Sequence, residues 1–360
     1  MHKLPRVGKG GKKSANRATS FDVAREAEVS QSTVARTFSA PHLVAEESRE
    51  RVLAAAEKLG YVPNAIARSL RNHRTNLVGA VVPAHGEYWQ GVLTELSLQL
   101  AQRGKQLVVS SFADVDGVER ALNGVSQYRL DGLILASATI EPRQVARMVA
   151  SELPIVVFNQ PAISGLAPLV SVDNAAGMAA LAHHVFEVGA RSVVYVGGIA
   201  RTSTDQLRYR GAAESLGRHG VSCEYVEAGA FTYDAGFKAA SVLVDRAKLP
   251  DCIMVGSDEV AFGVIDGLRA SGTSVPGDVM VTGFDGLPQA SWEGYNLTTL
   301  VQPVGELISH ALQILDEPTP TGVSTPLEVV VGGAVRYGAT TNVASRHGRN
   351  KTSESERSNG

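Results

Sequence analysis

Apolar residues recur at helical spacing through the first part of the chain and as short continuous runs through the rest. The change near residue 76 divides the chain. Thr19 stands as the N-cap of a first short helix whose apolar face is Phe21, Val23, Ala24 and Ala27. Val29 turns inward at a tight turn, and Ser30 caps a second helix, Gln31 to Phe38. Val34 and Phe38, four apart, face the core there. A third helix runs from about Glu46 to Leu59 with the stripe Val52, Ala56 and Leu59, and Gly60 ends it. The extended Tyr61-Val62-Pro63 then leads to Asn64–Leu70, a helix too short to be stable alone in water. Either it folds when two copies pack together on DNA, with Leu70 as a minor-groove wedge, or Leu70 is a linker residue docking on the body.

From Leu77 onward the pattern is α/β. Strand-like runs at Leu77–Val82, Gln106–Ser111, Gly132–Ala136 and Pro154–Phe158 alternate with helical stretches and predict a first lobe. Ser192–Gly197, Cys223–Glu227, Cys252–Val255 and Val279–Phe284 predict a second. Continuous apolar strands with helical crossovers mean parallel sheets covered on both faces. Leu297–Val301 and Leu327–Val331 are expected to cross back between the lobes. The fold class is therefore an all-α N-terminal helix-turn-helix followed by a bilobed α/β body with two parallel sheets. The expected divisions are a disordered basic tail (1–18), the helical domain (19–62), a short helix and linker (63–75), the two-lobed body (76–341) and a disordered polar tail (342–360).

The formal net charge of −2 hides an asymmetry. Residues 1–75 hold 14 Lys+Arg against 7 Asp+Glu, whereas the remainder holds 20 against 29. A basic head on an acidic body implies that the head alone meets a polyanion. No run is apolar enough to span a membrane, and the basic N-terminus lacks an apolar signal core, so a cytoplasmic protein is expected. Cys223 and Cys252 have neither metal-ligand spacing nor a disulfide framework and are expected to be buried free thiols.

Candidate chemistry lies in two places. On the second helix Gln31, Ser32 and Arg36 point away from the core. Arg grips guanine bidentately, Gln grips adenine, and Ser adapts, so these types suit base edges in a major groove. In the body, polar residues follow the strands: Asn159 after Phe158, Asp258 after Val255-Gly256-Ser257, and Asp285 after Phe284. Arg208 lies near the start of a helix and Phe231 in a loop. Ligands of such sheets bind beyond the carboxyl ends of the strands, hence in the cleft between lobes. Carboxylates, an amide and an Arg suit sugar hydroxyls, and an aromatic face suits a sugar ring; each residue taken singly could equally be a cap or a surface ion pair. Tyr88-Trp89 either stacks on a ligand or packs on the first-lobe helix. Enzyme signatures are weak: Gly197-Gly198 is no dinucleotide fingerprint, no Walker-type loop exists, and the adjacent His183-His184 point apart on a helix. No cofactor, metal or catalytic residue is expected.

The order DVA-x-x-A-x-VS-x-x-TV-x-R, RVLAAAEKLGY, PNAIARSL and the strand LVGAVVP resembles the lac repressor/galactose repressor (LacI/GalR) family of transcription regulators, and weaker resemblance runs to about residue 341. The resemblance implies that Gln31, Ser32 and Arg36 read bases and that Thr19, Ser30 and Asn64 touch phosphates. Ala67 and Leu70 would belong to a hinge helix entering the minor groove at the centre of a palindromic operator. It further implies a homodimer on double-stranded DNA and a small-molecule effector, a sugar or sugar derivative, held by Arg208, Asp285, Asn159, Phe231 and Asp258. A repressor controlled allosterically from the cleft follows, and a solute-binding protein of transport is the alternative, since its body would look alike. Several positions depart from the family pattern: Ser20 where an apolar residue is usual, Glu28 where a turn Gly is usual, Ala35 for Ser, Ala45 for the Ser cap of the third helix, and Ser257-Asp258 for the usual Asn-Asp.

Overall fold

The structure is a computed structural model that describes residues 18–62, 75–136, 140–151, 153–161, 165–317 and 326–341. The tails and the Asn64–Leu70 helix expected from the sequence, with Asn64, Ala67 and Leu70, lie outside the described residues. The chain divides into two compact units, residues 1–75 and 76–360.

The first unit contains α1 (Ser20–Glu26), α2 (Gln31–Ser39) and α3 (Glu46–Leu59). Thr19 and Asp22 form a capping box that starts α1, and the Ser30 hydroxyl accepts from Thr33 N at 3.1 Å to start α2. Val23, Ala24, Ala27, Val34, Val52, Ala55 and Ala56 form its core, with Val29, Phe38 and Leu59 packed against them. Phe21, expected on the buried face, is 67% exposed. It lies two residues before Val23, about 200° around the helix, and so faces outward. Between α1 and α2, Glu28 has φ +52 and Val29 N donates to Ala24 O at 3.0 Å, a Schellman-type stop. A non-glycine residue in that conformation costs on the order of 1 kcal/mol.

α3 starts on Ala45, whose backbone is extended (ψ 140) but which offers no side-chain acceptor. Ala45→Ser is therefore expected to stabilise this unit by about 1 kcal/mol. Urea unfolding followed by helical circular dichroism reads it; an unmoved midpoint would mean that water already serves the first turn of α3.

The second unit carries two six-stranded sheets. Its strands are β1 (Leu77–Pro83), β2 (Gln106–Phe112), β3 (Gly132–Ala136), β4 (Ile155–Phe158), β5 (Leu169–Val172), β6 (Val193–Gly197), β7 (Cys223–Glu227), β8 (Cys252–Val255), β9 (Met280–Asp285), β10 (Thr298–Val301), β11 (Glu328–Val331) and β12 (Ala334–Arg336). The helices that cover them are α4 (Glu87–Gln102), α5 (Val115–Val125), α6 (Pro142–Val149), α7 (Asn174–Glu187), α8 (Ser203–Gly217), α9 (Tyr233–Val244), α10 (Asp258–Ala270) and α11 (Val304–Asp316).

One sheet has the order β11-β5-β4-β3-β1-β2, the other β12-β10-β9-β8-β6-β7. Every pairing is parallel except that of β12 with β10. The inner strands β3, β4, β6 and β8 are buried throughout, as their unbroken apolar runs require. β5 and the three-residue β12 were not anticipated. The chain passes between lobes at Asp173-Asn174, at Gln302-Pro303 and at Gly332-Gly333, because β10 completes the second sheet and β11 rejoins the first. Cys252 is buried and Cys223 half-buried, and burial pushes the Cys223 thiol up to about 12, so both remain unreactive thiols.

Candidate functional site

In the first unit, α2 exposes Gln31, Ser32 and Arg36. Gln31 donates to Ser20 Oγ at 3.0 Å and Ser32 shares a hydrogen bond with Ser30 at 2.7 Å, so both are held along the surface. Arg25, Lys58 and Arg49 are paired with Asp22, Glu26 and Glu46, whereas Arg36 has no carboxylate partner among the described residues. A guanidinium left unpaired on a capped, rigid helix is free to grip an acceptor pair brought to it. Thr19 spends its hydroxyl on Asp22 at 2.7 Å, and its hydrogen bonds are the main reason the Asp22 carboxyl lies below its usual range.

In the second unit a cavity of about 320 Å³ opens between the carboxyl ends of the two sheets. Four of the five body residues singled out from the sequence line it: Asn159, Arg208, Phe231 and Asp285. Arg208 is 6% exposed. Its Nε donates to Asn174 Oδ1 at 2.8 Å and its Nη1 to Gly256 O at 2.5 Å; its Nη2 lies 3.6 Å from Asp285 Oδ1, and its guanidinium sits 3.8 Å from the Phe284 ring centre. Gly211, one turn on, lets α8 approach α7 this closely, because a Cβ there would collide with the Ala175 carbonyl.

A polar string links the lobes. Asn159 donates to the Tyr88 hydroxyl at 2.7 Å and to Gln302 Oε1 at 3.1 Å. Tyr88 donates to Gln302 Oε1 at 3.0 Å, and Gln302 Nε2 donates to Asp285 Oδ1 at 2.7 Å. Asn159 and Asp285, at the ends of β4 and β9, have φ of +56 and +129. Backbone strain of this kind concentrates at sites where side chains must be aimed. Tyr88 and Trp89 both line the cavity and also pack against the core, edge to face at 5.0 Å. Phe231 packs against Gly198, where any Cβ would strike its ring.

Asp258 does not reach the cavity. It is fully buried and accepts from Thr299 Oγ1 at 2.5 Å and Leu287 N at 2.7 Å. Its role is to brace the turn after Asp285, and its neighbours Ser257 and Glu259 line the cavity instead. Sequence reasoning missed Gln302 and Asn174. The one signal for Gln302 was a polar residue ending an apolar strand before a proline.

Burial pushes both buried carboxyls, Asp285 and Asp258, above the usual carboxylate range; Arg208 opposes this for Asp285, and hydrogen bonds from Thr299 and Leu287 oppose it for Asp258. A folded-state value raised above the unfolded one adds stability that is complete below about pH 4 and declines as pH rises through the raised value. The contribution of these two carboxyls to stability is thus expected to fall from pH 5 to pH 8, and Asp285→Asn to make the melting temperature decline less, or rise more, over that window than in the wild type. An equal slope in the variant would show that Asp285 ionises like a surface carboxylate.

The sequence profile described as "Bacterial regulatory proteins, lacI family" matches residues 21–64, and that of a periplasmic binding protein-like domain matches residues 182–341. Catabolite control protein A of Priestia megaterium is 30% identical over 302 residues, covering 82% of this chain and 91% of that protein. The chain belongs to the lacI family of bacterial regulatory proteins. Another lacI-family relative, the ribose operon repressor of Escherichia coli (strain K12), is 28% identical and covers 83% of this chain and 92% of its own. The fold of this lacI-family chain is similar to that of a chain in the crystal structure of the lac repressor dimer bound to operator and the anti-inducer ONPF. That structure superposes with a TM-score of 0.78 at 22% identity, over 91% of this chain and 99% of the other. Among the described residues no helix is long and apolar enough to cross a membrane.

Proposed function

We propose that this chain is a sequence-specific transcriptional repressor of the cytoplasm, without enzymatic activity, that binds a palindromic operator as a homodimer and answers to a small polyhydroxylated effector in the cleft. The observation that carries this reading is Arg36, exposed and unpaired on the capped α2 of a lacI-family chain. Gln31, Ser32 and Arg36 read base edges in the major groove, and Thr19 and Ser30 lie against phosphates. Asn64 likewise touches a phosphate, and Ala67 and Leu70 complete the contact at the operator centre. Two heads related by a two-fold axis match two half-sites.

Asn159, Arg208, Phe231 and Asp285 hold the effector. Arg208 and Asp285 are paired with each other in the cleft, and Asp285 is tied through Gln302 to Tyr88 and Asn159 of the other lobe. An effector that takes up these groups replaces the string and re-angles the lobes. The hinge helices lose their pairing and the heads release DNA. Operator binding must then weaken effector binding by the same factor. The relatives' names, a ribose operon repressor and a lac repressor bound to operator, support a sugar-like effector and an operator.

Selection of bound genome fragments by the purified protein at moderate salt tests the reading. Enrichment of a palindrome is expected, and only diffuse, salt-sensitive binding would overturn it.

A further inference from the structure

The start of α8 carries a feature that neither its sequence nor the ligand contacts assigned above explain. Thr202-Ser203-Thr204-Asp205 reads as a capping box, in which Thr202 and Asp205 would satisfy each other's backbone N–H groups. The box is not made. The Thr202 hydroxyl donates to Ile199 O at 2.8 Å, and no side chain caps the helix. Asp205 turns away into the lobe, where it accepts from Tyr195 (3.1 Å), Gly198 N (3.2 Å) and Tyr225 (2.6 Å). The first-turn N–H groups of this 15-residue helix are left without a partner among the described residues.

A second, independent observation points into the cavity. Thr204 is only 7% exposed, lines the cavity, and its hydroxyl has no hydrogen-bond partner among the described residues. The hydroxyl oxygen itself stays accessible from the cavity, so it is open to a hydrogen bond from a ligand seated there. Arg201 lines the same end of the cavity, exposed and without an ion pair among the described residues. The nearby Glu227 is already engaged by Ala200 N at 3.0 Å.

The opposite wall is built the other way. The N-terminus of α4 has no acceptor at its own N-cap, Gly86, and takes Glu259 from the facing lobe, which accepts from Glu87 N at 3.3 Å. The start of α5 is capped by Asp114 through Gly117 N at 2.7 Å. These two helix starts at the cavity are filled by the chain's own carboxylates, whereas the start of α8 is left empty beside a free guanidinium.

We propose that the start of α8, with Thr204 and Arg201, is an anion subsite of the cleft, and that the effector carries an acidic group, a phosphate or a carboxylate, which it holds. Free first-turn N–H groups, the positive end of the helix dipole and a guanidinium together select such a group. The subsite rests on the cleft being the effector site. It also lies beside a contact between lobes, Ser203 Oγ to Gln160 Oε1 at 2.5 Å, so an anion seated there bears directly on closure.

The test uses the full chain carrying Trp292→Phe, which leaves Trp89, in the cavity wall, as the sole tryptophan reporter. Inorganic phosphate, glucose 6-phosphate, glucuronate and glucose are titrated against its fluorescence, and operator-type duplex binding is measured on the same samples. A response to phosphate or an acidic sugar is expected, weakened about tenfold or more by Arg201→Ala and by Thr204→Val, in keeping with charge-assisted hydrogen bonds. Response to glucose 6-phosphate but not glucuronate assigns a phosphate, and the reverse a carboxylate. A glucose response equal to that of the acids, anion responses that both variants leave unchanged, or no anion response at millimolar concentration overturns the subsite. Loss of duplex binding would instead count against the regulator reading and leave the fluorescence result standing.

Discussion

Arg36→Ala is expected to abolish the preference for operator over random duplex while leaving the protein folded. A bidentate Arg–guanine contact discriminates by about 1–3 kcal/mol. Two heads on one palindrome double that to about 2–6 kcal/mol, so the specific affinity should fall roughly 30-fold or more. Affinity for non-specific duplex should change far less, because it comes from phosphate neutralisation spread over the whole basic head. Arg36 is exposed and unpaired among the described residues, and its removal leaves the core of Val23, Val34 and Val52 untouched. Anisotropy titrations with the operator and a scrambled duplex, beside a melting curve, separate the two effects. Operator preference retained by the variant would take base reading away from Arg36.

Asp285→Ala is expected to keep operator binding and lose the effector response. The carboxylate meets Arg208 directly and, through Gln302, the other lobe. Hydrogen bonds to a charged group contribute about 1.5–3 kcal/mol each, so losing two acceptor oxygens should weaken effector binding by on the order of 100-fold or more. Alanine also leaves Arg208 buried without its carboxylate, which destabilises the body. Asp285→Asn keeps the shape and the acceptor for Gln302, and so separates lost recognition from lost stability. The measurement is effector-driven release of a labelled operator. A release curve unchanged in both variants would remove Asp285 from the site.

Asn159 and Asp285 were legible in the sequence because each stands at the end of a short, buried strand, and a polar residue at that point must sit at the carboxyl edge of a sheet. Asp258 was misplaced for a reason of the same kind. At this strand-to-helix junction Ser257 is still extended and Asp258 opens the helix, so the pointing direction of each side chain cannot be read from one period. Ser257 and Glu259 line the cavity while Asp258 turns under it. Gln302 could not be found from spacing, since it meets Asn159 across 143 residues and Tyr88 across 214. β5 was hidden by its length and by Ser171 within it, and β12 by being three residues that end in Arg336. Glu28, conversely, was readable. A tight turn in that position needs a left-handed residue whatever its side chain, and Glu28 adopts it.

The three passages between lobes have a mechanical meaning. A single tether would let the lobes swivel and separate, whereas three strands of chain leave one easy motion, the opening and shutting of the mouth. They also make the body tolerant of a break. If a protease cut the exposed Gly332 beside Gly333, the chain would be severed, yet β11 would stay paired with β5 and β12 with β10, and two other passages would still join the halves. The nicked protein would run as one particle on a sizing column and as two bands in denaturant. Its lobes would be joined by two covalent passages rather than three.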